Sequence, residues 1–373
     1  MMPNALTTPL RQSQMAGNSA HQDPTNPSEE GRQQALEQKL QASMALEGTL
    51  QLPCLPALAP RYEHLILGLF NLFGQNPSSE ERQQLRQRLT ETLTEGFEES
   101  PRRYLSLSYQ LVNPQEGVAG GLGLTLSLTS PPEAQGSFQL ANQSRFGSYP
   151  DGKAMMLAAS LGEAEEVSVL DIGAGIGRNS LPLAKRGHPV DAVVTNAEAG
   201  ERLQEMARSR HLSVTLLGGD FLDAPQVTGD YHLAIAPEIL PHLRSPQAMT
   251  HFFRQSRRLL APRGRLLLGA FLTHPDYSPQ ESVRELAQAC GCSFLTPSEL
   301  TAILGEVGLR LESQESVVAY ESTHLPAAAW PPSQSFLNWA TGQELFPGLM
   351  APPVSFYWLC CAPEPIPANP DET

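Results

Sequence analysis

Residues 171–179 read DIGAGIGRN, directly after the apolar run VSVL at 167–170. An apolar run feeding a glycine-spaced turn is how a buried strand ends at the start of a nucleotide-type strand–turn–helix unit. A dinucleotide fingerprint needs G-x-G-x-x-G, whose third glycine lets helix and strand pack closely beside a pyrophosphate. In this chain the glycines are Gly173, Gly175 and Gly177, and Arg178 stands where that third glycine belongs. Asp171 precedes the first glycine by two residues. A carboxylate there faces the helix N-terminus that an anion would occupy, so the turn is ill suited to phosphates. It suits a nucleoside cofactor that lacks phosphate and carries cationic groups.

Outward from the turn, strand and helix patterns alternate. Strands are expected at 166–171, 189–194, 213–217, 231–236 and 264–271, with helices at 178–186, 198–209 and 247–260. That rhythm predicts a parallel sheet with helices on both faces. A further helix is marked by TPSELTAILGEVG at 296–308. Thr296 is its N-cap, Pro297 its first residue, Glu299 completes a capping box and Gly308 follows its end. Two late strands, about 310–320 and 354–361, complete a mostly parallel seven-stranded sheet, with a Pro- and aromatic-rich insert at 322–353 between them. The predicted fold is α/β, Rossmann-like and doubly wound, over 140–363, with a short tail at 364–373.

The region before it reads differently. Residues 1–52 are rich in Gln, Ser, Asn, Pro and Ala, a composition that predicts a disordered N-terminal tail, with a short helix an option within 29–48. Residues 53–132 form a small α+β accessory module. Within it, RYEHLILGLFNLFG (61–74) reads as a buried helix. SSEERQQLRQRLTETLTEGF (78–97) opens on a Ser78/Glu81 capping box and repeats Leu85, Leu89, Leu93 and Phe97 down one face. RYLSLSYQLV and GLGLTLSLT alternate as a hairpin would. The module is either a substrate cap, a dimer interface or a plain accessory unit.

Composition narrows the function further. Lys and Arg number 25 against 39 Asp and Glu, a net charge of −14, which disfavours a nucleic-acid partner because phosphate neutralisation needs clustered cations. The five cysteines lack both the even count of a disulfide framework and the CxxC pairs of a zinc site, so reduced thiols and no metal are expected. No secretory signal or spanning apolar run is visible, so a cytoplasmic protein without a membrane partner is expected.

The stretch VLDIGAGIGRNSLPLAKRG resembles the first motif of the class I S-adenosylmethionine-dependent methyltransferases, and GRNSL is similar to their tellurite-resistance, small-molecule type. The resemblance covers roughly 147–320 and implies S-adenosyl-L-methionine as cofactor. It implies that Gly173, Gly175 and Gly177 bring the backbone close to the cofactor and that Asp171 orders its amino-acid end. Arg178 and Asn179 open the next helix; Arg178 is either a cofactor contact, solvated, or paired with an acid. In TLLGGDFLD (215–223) the resemblance implies Asp220 as acceptor for the adenine amine and Phe221 as cover for the ring; the alternative is an acid capping its own loop. APEILPHL (236–243) and RRLLAPRGRLLLGAF match the loops around strands four and five, with Arg263 replacing a glycine. Glu238 faces the cofactor edge, and His242 is a candidate general base or a loop-packing residue.

One position departs from the family. Val194 occupies the place of the acid that ordinarily holds the ribose hydroxyls; Asp191 comes too early, and Asn196 or Glu198 are the available substitutes. The candidate substrate-pocket residues are Tyr149, beside Asp151 in RFGSYPDGKAMMLAA, a segment that either covers the cofactor or is an ordinary linker into a helix, and Tyr277, near His274. Trp330 and Trp339 join it if the insert, with Phe336 and Phe346, walls a pocket rather than plugs the core. The expected function is in-line methyl transfer to a small-molecule acceptor. The alternatives are a non-catalytic interaction protein keeping a degenerate fold and, third, a nicotinamide oxidoreductase.

Overall fold

The computed structural model describes residues 47–112, 121–130, 145–223 and 227–365. The expected tail over 1–46, the helix option within it, the hairpin link and residues 366–373 lie outside the described residues. The chain divides into two compact units, Met1–Glu133 with Glu281–Ala289, and Ala134–Gln280 with Cys290–Thr373.

The first unit contains β1 (Glu47–Pro53), α1 (Ala59–Leu72), α2 (Ser79–Glu99), β2 (Tyr104–Val112) and β3 (Gly121–Thr129), the strands forming an antiparallel sheet in that order. Ser78 and Glu81 close the capping box of α2: Ser78 Oγ accepts the Glu81 amide at 3.3 Å, and Glu81 Oε2 accepts the Ser78 amide at 2.7 Å. The Leu85, Leu89 and Leu93 stripe packs with Ile66 and Phe70 of α1 and with Leu105, Leu107, Leu122 and Leu124 of the sheet. Strand β1 falls mostly in the stretch read as tail. Its own alternation is only Leu50 and Leu52, and it becomes a strand by pairing those residues with Leu107 and Leu105 of β2.

The second unit runs α3 (Gly152–Ser160), β4 (Val169–Ile172), α4 (Ser180–Lys185), β5 (Val190–Val194), α5 (Ala197–Ser209), β6 (Val214–Gly218), β7 (Tyr231–Ala236), α6 (Pro246–Leu259) and β8 (Leu260–Thr273). There follows α7 (Glu281–Cys290), which groups through residue 289 with the first unit, where Glu285 accepts the Ala57 amide on both oxygens at 3.1 and 3.0 Å. The second unit resumes with β9 (Phe294–Leu295), α8 (Pro297–Val307), β10 (Leu309–Ser316), α9 (Val317–His324), α10 (Gln334–Ala340) and β11 (Val354–Pro363). The eight strands lie in the order β10-β11-β8-β7-β4-β5-β6, with β9 beside β8. Strand β11 is antiparallel to both neighbours, and the other pairings along the sheet are parallel. The doubly wound sheet is thus as expected, with two-residue β9 added to the seven strands read from the pattern.

Both faces of the sheet are covered, which is why β4 is buried along its whole length. Leu170, Ile172 and Val193 pack on one side with Phe252 and Phe253 of α6 and Leu300 and Leu304 of α8. Ala192 and Val194 point the other way, to Leu181 of α4 and Leu203 and Ala207 of α5. The late strand expected at 310–320 ends at Ser316, because the Ser316 hydroxyl accepts the Ala319 amide at 3.3 Å and starts α9. The insert carries α10, whose Phe336 and Trp339 are each 1% exposed. The five cysteines are free thiols. Among the described residues no helix is long and apolar enough to cross a membrane.

Phe252 is fully buried between α6 and the sheet. Phe252→Ala should lower the stability of the second unit by about 3–5 kcal/mol, read as a shifted urea midpoint, since it leaves a cavity in a close-packed core.

Candidate functional site

The chain winds outward from β4 through β5 to β6, then returns to the other side of β4 as β7 and β8. Winding reverses between β4 and β7, and in doubly wound sheets the crevice at such a reversal, at the strands' carboxyl ends, receives the ligand. The glycine turn leaves β4 at that point. The segments bearing Asn196, Asp220, Glu238 and Tyr277 leave β5, β6, β7 and β8 at the same edge.

Gly173, Gly175 and Gly177 have φ of +77°, +54° and +90°, conformations that disfavour side chains. At Gly177 a Cβ would also fall 2.4 Å from Leu203 Cδ1, and at Gly173 2.7 Å from Ile239 Cδ1. At Gly175 it would meet nothing within 4 Å, so open space lies on the side where a side chain would project. The Gly173 and Ala174 amides both donate to the Val193 carbonyl at 3.0 Å, which commits them to the neighbouring strand. Asp171 is 2% exposed beneath the turn, where its Oδ2 accepts the Ser180 hydroxyl at 2.5 Å. Burial pushes its carboxyl up to about 6, although Ser180 and Arg178 act in the opposite direction.

Arg178 is paired with acids. Its guanidinium bonds Asp151 and reaches Glu238 Oε1 at 3.3 Å, with the side chain only 10% exposed. It also donates to the Tyr149 carbonyl at 3.3 Å and lies 4.9 Å from the centroid of Phe146. Burial is the largest single effect on its pKa and lowers it, but the surrounding carboxylates, Asp151 and Glu238 foremost, together outweigh it and raise the pKa. Asn179 is buried; its Oδ1 accepts the Asp151 amide at 2.9 Å and its Nδ2 donates to Asp151 Oδ2 at 2.8 Å. Beside them lies a carboxylate the sequence reading did not single out. Glu321 of α9, 1% exposed, accepts the Gly152 and Lys153 amides at 2.8 and 3.1 Å and the Trp358 indole at 2.9 Å. An acid within the apolar stretch VVAYEST was its one sequence signal.

The other candidates are placed as follows. Asn196 is exposed and caps α5, its Oδ1 accepting the Ala199 amide at 3.0 Å, while Glu198 pairs with Arg202 along the same helix. Val194 is buried against α5, and Asp191 accepts the Tyr231 hydroxyl at 2.6 Å. Asp220 is exposed and its Oδ1 accepts the Leu222 amide at 3.0 Å, a loop cap. The Phe221 ring turns into the core, 5.6 Å from Phe252. His242 is exposed on a short helical turn, Leu240–His242. Tyr149 is exposed, Tyr277 is half-buried edge-on to Phe346, and Trp330 is half-buried against Phe336. Trp339 plugs the core between Phe271 and Phe356, its indole donating to the Gly291 carbonyl at 3.1 Å.

The raised carboxyl has a stability consequence. Asp171 titrates from 3.8 when unfolded to about 6 when folded, so between those values the folded chain holds a proton that the unfolded chain has lost. Its contribution is therefore greatest below about pH 4 and is lost as pH rises through about 6. Asp171→Asn should be more stable than wild type at about pH 7, by up to about 3 kcal/mol, with the gap closing toward about pH 4. Urea unfolding of both proteins across that range reads it.

Residues 169–264 match the family described as a methyltransferase domain. The chain is 30% identical over 161 residues to the 27-O-demethylrifamycin SV methyltransferase of Amycolatopsis mediterranei (strain S699), covering 41% of this chain and 57% of that enzyme's length. Similar solved structures include a putative sarcosine dimethylglycine methyltransferase from Galdieria sulphuraria, at TM-score 0.46 and 16% identity over 61% of this chain and 97% of that one. Another is the geranyl diphosphate C-methyltransferase of Streptomyces coelicolor A3(2), at TM-score 0.43 and 16% identity over 57% and 79%. Residues 169–264, whose G-x-G-x-G turn lies at the switch point of a doubly wound sheet, are thus similar to a methyltransferase domain.

Proposed function

We propose that this chain transfers a methyl group from S-adenosylmethionine to a small-molecule acceptor. The observation that carries the reading is one turn that leaves open space at Gly175 and buries an acid, Asp171, four residues before it. The donors present fit this cofactor better than a phosphate-bearing one. The Gly173 and Ala174 amides are committed to Val193, and the cation of the turn, Arg178, is committed to two carboxylates. That arrangement also disfavours a nicotinamide dinucleotide.

When bound, the cofactor supplies a methyl group on a positively charged sulfur, so the protein's task is alignment and exclusion of water. Gly173 and Gly175 would admit it to the sheet edge. Asp171, ionised above about pH 6, would favour the cationic amino-acid end. Asn196 retains its Nδ2 donors for ribose hydroxyls and Asp220 its Oδ2 for the adenine amine. His242, on the exposed turn beyond β7, is the candidate base for an acceptor proton, with Tyr149 and Tyr277 as candidate contacts. The relative's named substrate, 27-O-demethylrifamycin SV, supports an organic acceptor. The acidic composition supports a small-molecule acceptor over a nucleic-acid partner. Burial of Val194, which leaves β5 without a ribose-binding acid, favours a second reading, a domain that binds the cofactor without turnover.

Calorimetry should detect micromolar-range binding of S-adenosylhomocysteine by the intact chain, weakened at least about tenfold in both Gly175→Ala and Asp171→Ala. Because binding draws on the ionised form of Asp171, affinity should rise by up to about tenfold between about pH 5 and 7 in wild type and stay flat in Asp171→Asn. Absence of binding would overturn the proposal. Methyl transfer to any acceptor would exclude the non-catalytic reading.

A further inference from the structure

We propose that Arg178 is a positioning residue rather than a cofactor contact: it latches the segment 145–151 to the glycine turn and thereby presents Tyr149 to the ligand. The inference rests on the methyltransferase reading for what that ligand is, but not for the latch itself.

The segment is anchored at both ends and bare between them. At its start the Phe146 ring, 5% exposed, packs on Phe336, Phe356 and Trp358 with centroids at 4.9, 6.0 and 5.6 Å. There, too, the Arg145 amide donates to Glu238 Oε2 at 3.2 Å, and its guanidinium bonds Glu344 at 3.0 Å over the Trp339 ring. At its end Asp151, 2% exposed, is held by Asn179 and Arg178. Between these anchors Gly147, Ser148 and Tyr149 are exposed, with Gly147 at φ +73°.

Arg178 is the member of this set that touches every part. One guanidinium binds the anchor Asp151, the Tyr149 carbonyl, the face of Phe146, and Glu238 on the loop after β7. Two carboxylates on one guanidinium leave the cluster with net negative charge, so it offers nothing to a ligand carboxylate. A planar fork of five donors is what lets one side chain hold a carbonyl and two acids at once; an ammonium has no such geometry. The neighbouring Asn179 adds two bonds to Asp151, so residues 178 and 179 together fasten the segment to the first turn after Gly177. Tyr149, whose own carbonyl is held, is the exposed side chain this fastening positions.

The test is hydrogen–deuterium exchange over residues 146–153 of the ligand-free full chain, paired with S-adenosylhomocysteine binding. In Arg178→Gln, exchange in that segment should accelerate about tenfold or more while β7 and β8 stay protected, and affinity should fall. Arg178→Lys should recover part of both losses. Glu238→Gln, at the more exposed side of the latch, should give a smaller acceleration and serves if Arg178→Gln fails to fold. Unchanged exchange in these variants overturns the proposal, and a loss of affinity without faster exchange would assign Arg178 to the ligand directly. If wild type binds no S-adenosylhomocysteine, the methyltransferase reading fails, while the exchange data still decide the latch.

Discussion

A Cβ at Gly177 would lie 2.4 Å from a methyl of Leu203, and the backbone there has φ of +90°. This close approach between turn and α5 is the constraint on which the second unit depends. It brings α4 and α5 against one face of the sheet, with Leu181, Val194 and Leu203 in one cluster. It also aims the chain so that Ser180 reaches back to Asp171 and Arg178 turns toward Asp151 before α3 and Glu238 after β7. A side chain at this position would be strained and crowded together, and both the sheet face and the ligand edge would shift.

Electrostatics at that edge follow from burial. Asp171, Asp151 and Glu321 are each 2% exposed or less, and a charge so placed is costly unless it is paired or hydrogen-bonded. Asp151 and Glu321 meet that requirement through Arg178, Asn179, the Trp358 indole and the first amides of α3. Asp171 meets it only partly, through Ser180, and its carboxyl is pushed up to about 6. Asp171, at the foot of the glycine turn, is thus the acid left to gain from a cationic ligand.

The elements were largely legible in the chain because their signals are local. Capping boxes at Ser78 and Thr296 started helices where the side chains close them, and Gly308 ended α8 at φ +70°. Apolar runs marked the parallel strands, since both faces of that sheet are buried. Strand β1 and helix α9 were not legible. The first exists through its partner β2, and the second is set by a serine cap in a stretch rich in β-branched residues.

The sequence by itself determined the turn: its glycines, the acid before it and the arginine after it identify the unit, because each answers a backbone or charge requirement within nine residues. Only the tertiary structure decided which partners those residues take. Arg178 meets Asp151 and Glu238 from 27 and 60 residues away, Glu321 caps a helix 169 residues before it, and Phe221 enters the core. Trp339 plugs the sheet instead of walling a pocket because the Gly291 carbonyl and two aromatic rings converge on it. Such pairings depend on which loops the sheet order brings to one edge, and strand order is a property of long-range packing that no local pattern encodes.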